Sequence, residues 1–97
     1  MADTTVESML ETRGRTHGSF VDHAGLTQGL KSVFFSSEHN RNILLFDPTQ
    51  RESIEMIFHK LGRIGAGDAN FIDHWEDIAG YAMLIAKIQK MRQINDK

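Results

Sequence analysis

The run Asp47-Pro48-Thr49-Gln50 fixes a helix start near the middle of the chain. Aspartate accepts hydrogen bonds from the free N–H groups of a first turn, and proline suits the first helical position because no partner is needed for the N–H it lacks. A glutamine three residues after the cap can return a hydrogen bond to the cap's own N–H. Behind this start, Ile54, Ile57, Phe58, Leu61 and Ile64 recur at helical spacing until Gly65 and Gly67. The spacing predicts a helix with those five residues as its core stripe.

Helical signals recur on both sides. Thr4 and Glu7 form a capping-box pattern that opens a short helix through Met9 and Leu10, which is expected to fail by Gly14. Residues 13–18 are glycine-rich and polar and read as a loop carrying Arg13, Arg15 and His17. Ser19 caps a further helix with Asp22 in the box position, where Phe20, Ala24, Leu30, Val33 and Phe34 form a stripe and Gly25 and Gly29 admit a close backbone. The apolar run from Ile43 to Phe46 fits a short strand or an ordered connection, and the lack of a partner strand favours the connection. A last helix is expected from near Asn70 to Ile94. Its stripe Trp75, Ile78, Ala79, Ala82, Ile85, Ala86 points to the chain's own core, and its second stripe Leu84, Ile88, Met91 predicts a subunit interface. The expectation is an all-α fold: a compact bundle of about four helices in one domain spanning residues 1–97, with 1–12 peripheral. A chain of 97 residues buries a modest share of its surface, so homo-oligomerisation is expected to complete it.

Composition narrows the function classes. With no cysteine, neither a disulfide framework nor a thiolate metal site is available, and any metal must be held by oxygen and imidazole. No apolar run approaches membrane-spanning length and the first residues do not form a signal peptide, so a cytoplasmic protein with no membrane partner is expected. A net charge of -2 disfavours nucleic acid as a partner.

The polar chemistry gathers between His59 and Tyr81. On the helix that starts at Pro48, Glu52, Glu55, His59 and Arg63 fall within about 80° of one another, opposite the apolar stripe. Asp73 and Asp77 share a face of the last helix. Each set also reads as an ordinary solvated face, the aspartates being favoured by the positive end of the helix dipole. Facing each other, the two sets would form a site for Mg²⁺ or Mn²⁺ with Glu52, Glu55, His59, Asp73 and Asp77 as ligands, hard oxygen donors suiting hard cations. Lys60, Arg63, Arg15 and His17, with Arg13, would then hold the phosphates of a nucleotide.

At Arg13-Gly-x-Thr-His-Gly-x-Phe20, Gln50-Arg-Glu52, His59-Lys60-x-x-Arg63-Ile64, Gly67-Asp68 and Asp73-His-Trp-x-Asp-Ile-Ala-Gly-Tyr81 the chain resembles a family of small phage and prophage proteins of unknown function. That resemblance implies the cytoplasm of an infected or lysogenic bacterial host. More distantly it is similar to the all-α MazG-like and dUTPase-like nucleoside triphosphate pyrophosphohydrolases, which hold Mg²⁺ on paired acidic residues and assemble as dimers or tetramers. This likeness implies a hydrolase of phosphate anhydrides with Glu52, Glu55 and Asp77 as catalytic carboxylates. His74 stands where those enzymes carry a glutamate. The alternative is a non-catalytic phage accessory protein that binds or sequesters a nucleotide, or docks on a host protein.

Overall fold

The computed structural model describes residues 4–95 and contains four helices: α1 (Thr4–His17), α2 (Phe20–Ser36), α3 (Pro48–Ala66) and α4 (Ile72–Asn95). Among the described residues there is no strand, and no helix is long and apolar enough to cross a membrane. α3 lies between α2 and α4, which flank it on opposite sides without meeting each other, while α1 leans on α2 and α3 at one end. The resulting body measures 61 × 30 × 24 Å.

The start of α3 forms as its sequence dictates. The Asp47 carboxylate accepts from the Gln50 N–H at 3.0 Å and the Gln50 side chain accepts from the Asp47 N–H at 3.1 Å, with Pro48 following the cap. Arg92 of α4 reaches the same carboxylate and so ties α4 to this end of α3. The Ser19 hydroxyl caps α2 by accepting from the Asp22 N–H.

α2 and α3 cross closely at Gly62, where a Cβ would collide with Thr27 Oγ1 and the His23 ring. Farther along, Phe34 meets Phe58 edge-on at 5.2 Å and stacks on Phe46 at 6.0 Å. That contact tucks the end of the α2–α3 connection onto the core, as an ordered connection rather than a strand, yet Leu44 in the same segment is 92% exposed. α3 meets α4 through Lys60 and Asp77, 2.8 Å apart, and through Gln50 and Gln89.

Two expectations are corrected. Residues 13–17 are not a loop: α1 runs through Gly14 to His17, and the turn to α2 is only Gly18 and Ser19. A glycine inside a helix costs about 1 kcal/mol. Here tertiary bonds offset it, because the Thr16 carbonyl accepts from the Asp68 N–H at 3.0 Å and from His74 Nε2 at 2.7 Å. Gly18, at φ +80, then reverses the chain against the Ala66 backbone, where a side chain would not fit.

The apolar stripes are also not buried. Phe20 is 82% exposed, Val33 and Trp75 are exposed, and Ile54, Ile57, Phe58, Leu61 and Ile64 are only half-buried. A layer one helix thick covers only the lines where neighbours touch, so a stripe turned to either face of the layer stays open. Among the described residues no apolar side chain is fully buried; the buried side-chain-bearing residues are His23, Thr27, Ser53, Lys60 and His74.

Candidate functional site

Where α1 and the α1–α2 turn lean over α3, they border a half-open pocket of about 450 Å³. Arg13 and His17 line it from α1, His23 from α2, and His59 and Arg63 from α3; no carboxylate lines it. α1 reaches this position because Thr16 is clamped by Asp68 and His74 at the far end of α3. The unbroken helix then places Arg13 one turn before His17, on the face that looks at Arg63.

The histidines are positioned by bonds with one possible direction. A carbonyl oxygen only accepts, so His23 donates Nε2–H to the His59 carbonyl at 3.1 Å, and His74 donates Nε2–H to the Thr16 carbonyl. The His23 ring stands edge-on to His59 at 4.5 Å, and His17 stands edge-on to His74 at 4.8 Å. His74, 1% exposed, is thereby the most buried side chain among those described.

The pocket carries a surplus of positive charge. Burial, followed by the charges of Arg63, His74, Arg13 and Lys60, lowers the His17 pKa to about 4. Burial and the charges of Arg63, His23, Lys60 and Lys31 lower that of His59 to about 4 as well. Both imidazoles are therefore neutral near pH 7 and can donate or accept. Arg63 is itself held below its ordinary value by burial and by Arg13, an effect partly offset by Asp77 and Tyr81. Arg13 lies close enough to disfavour the charge of Arg63, and no carboxylate lines the pocket they share, so an anion there would relieve the field at Arg63.

Of the residues picked from the sequence for phosphate, Arg63 and His17 line this pocket together with His59 and Arg13. Arg15 does not line it; exposed, it bonds to Thr12 on its own helix. Lys60 is buried on the α4 side of α3 with its ammonium on Asp77, so its charge reaches the pocket only through space. The acidic set is spread out. Glu55 faces Lys31 of α2 at 4.0 Å, Glu52 lies beside Arg51 at the start of α3, Asp77 is held by Lys60, and Asp73 is exposed in the first turn of α4. Hydrogen bonding from Lys60, followed by charge, keeps the Asp77 carboxyl below the usual carboxylate range. Among the described residues no group of three or more His, Asp or Glu side chains is placed to hold a metal ion. Within one chain Glu55 turns toward Lys31 of α2 while Asp77 is taken up by Lys60 at the contact of α3 with α4.

No family model, curated protein or solved structure matches the chain. Motif residues singled out in the sequence meet in space: Thr16, His17 and Gly18 pack on Gly67, Asp68 and His74. The sequence reading missed His23. Its polar partner one turn later, Thr27, marks the line of contact with α3, but the apolar residues on the same helix drew attention to a face that stays open.

Proposed function

We propose that the chain binds a small phosphate-bearing anion, with a nucleotide as first candidate, in the pocket formed by Arg13, His17, His23, His59 and Arg63. One observation carries this reading: two guanidinium groups and three imidazoles, beside Leu10 and Phe20, line a pocket of about 450 Å³ to which no carboxylate contributes. That volume falls within the range of small-molecule sites. Guanidinium groups pair with phosphate oxygens through parallel hydrogen bonds, and neutral imidazoles donate to the remaining oxygens without adding repulsion between cations. In the setting implied by the phage resemblance, such a protein is a cytoplasmic accessory factor that sequesters a nucleotide.

Hydrolysis is a second reading, favoured by one feature. Glu52 and Asp73 are exposed and enter no ion pair among the described residues, which leaves them open to a divalent cation shared with carboxylates of another copy. Self-association belongs with both readings. Leu84 and Met91, the α4 residues expected at a subunit contact, are exposed.

A thermal-shift panel of nucleotides and pyrophosphate separates the two readings, because a ligand that binds only the folded state raises its stability with concentration. Binding in the basic pocket predicts saturable stabilisation that persists in EDTA and disappears in Arg63→Met. Stabilisation that requires Mg²⁺, survives Arg63→Met and accompanies pyrophosphate release supports the hydrolase instead. No stabilisation by any phosphate compound overturns both.

A further inference from the structure

The chain exposes far more surface than its mass requires. A compact monomer of 11.0 kDa shows about 5,600 Å² to solvent, whereas this chain shows 7297 Å², an excess of about 1,700 Å². Its radius of gyration is 16.8 Å, against about 12.5 Å for a compact domain of 97 residues. Lasting subunit contacts bury about 1,000–2,500 Å² on each partner, so the excess is the area that one such contact removes.

The apolar surface is also shaped. Between α2 and α3 runs a groove of about 510 Å³ walled by Leu26, Leu30, Val33, Phe34 and Phe58, with Gly25 and Gly29 along the α2 side. None of these carries charge or a side-chain hydrogen-bonding group. A Cβ at Gly25 or Gly29 would meet nothing within 4 Å, so the α2 backbone lies open along a full turn. The exposed apolar residues of α4, by contrast, are interleaved with Glu76, Lys87, Lys90 and Arg92.

We propose that a second copy of this chain seats on the α2–α3 groove, α2 against α2 about a two-fold axis, with Leu26 and Val33 of each copy packing over Gly25 and Gly29 of the other. This rests on the self-association given above and moves its main contact from α4 to α2. A copy of the chain is the fitting occupant because the missing area is a property of the chain itself and needs a cover in every molecule made. A two-fold pairing sets the uncharged groove on its own counterpart, so no buried charge is left without a partner. The deficit in the core is met by the same event, which makes folding and pairing one transition.

The absence of cysteine allows a direct test. Single variants Val33→Cys and Leu84→Cys are prepared beside the unmodified chain, and each is treated with a short bismaleimide crosslinker at low micromolar concentration, with mass measured in parallel by light scattering after gel filtration. The α2 pairing predicts a dimeric mass for the unmodified chain, at least tenfold more crosslinked dimer from Val33→Cys than from Leu84→Cys, and a monomeric or unfolded chain for Val33→Glu. A dimeric chain that crosslinks through Leu84→Cys and tolerates Val33→Glu overturns the α2 contact and keeps self-association. A folded monomer at every concentration overturns both.

Discussion

The two ends of α3 use burial in opposite ways. At its C-terminal end, where α1 and α4 converge, polar groups are sealed in: His74 bonds to the Thr16 carbonyl, Lys60 pairs with Asp77, and His23 packs on His59. Toward its N-terminal end, the aromatic cluster of Phe34, Phe35, Phe46 and Phe58 is only half-buried, and Leu44 and Leu45 beside it stand in solvent. Specific directional bonds fix the first region within one chain. The second has apolar area but no cover. A single chain thus carries a finished polar junction, which shapes the basic pocket, and an apolar face that one chain leaves open.

The largest effect is expected at the junction. His74→Ala removes the most buried side chain described and takes one donor from the Thr16 carbonyl, which combines a cavity with a lost hydrogen bond and costs about 3 kcal/mol. Urea unfolding measures this, and the same variant loses pyrophosphate binding because α1 is no longer clamped over Arg63. A stability loss with binding intact would separate the pocket from its clamp. Next is Asp77→Asn, which leaves the buried Lys60 ammonium without its counter-charge. Because the Asp77 side chain is about half-exposed, the expected loss is smaller than for a fully buried pair. Lys60→Met, which leaves only a solvated carboxylate, costs less than Asp77→Asn, and the reverse order would contradict the burial assigned to Lys60.

How far the sequence disclosed these regions follows from the kind of signal each carries. The caps at Asp47 and Ser19 and the helices they open were legible because capping depends on residues within one turn. The extension of α1 to His17 was not. It depends on the Thr16 carbonyl meeting a histidine far along the chain, a contact no local window contains. The stripes on α2, α3 and α4 were read correctly as apolar, but periodicity shows which face is apolar and not whether another helix covers it. Within the candidate site, Arg63, Arg13 and His17 were visible as phosphate-binding candidates, whereas the approach of His23 to them required the turn at Gly18. The carboxylates Glu52, Glu55, Asp73 and Asp77 share helix faces as spacing implies, yet sharing a face did not bring the two pairs together within a chain.

A smaller effect follows from pH. His17 and His59 have folded pKa values of about 4, below the ordinary 6.5, so the unfolded chain binds protons that the folded chain refuses. Their contribution to stability is level above about pH 6.5 and declines as the pH falls from there to about 4. Replacing both by Asn flattens that part of the curve of denaturation midpoint against pH; an unchanged slope would show that neither imidazole is held neutral by the pocket. The smallest effect is expected on the open side. Leu44→Ser changes stability by less than about 0.5 kcal/mol, since the side chain is already 92% exposed. A larger change in the midpoint would show that Leu44 is covered in the assembled protein and would extend the paired face beyond α2.

The basic pocket is tested most directly by following the imidazole nitrogens of His17 and His59 by NMR during a titration with pyrophosphate in the absence of metal. An anion held between Arg13 and Arg63 offsets the positive charge that, after burial, keeps these rings neutral, so both resonances should shift saturably and their titration midpoints should rise from about 4. The exposed ring of His39 serves as the control. If His17 and His59 hold their positions and midpoints while pyrophosphate is added to saturation, the anion does not enter this pocket and the proposed function fails.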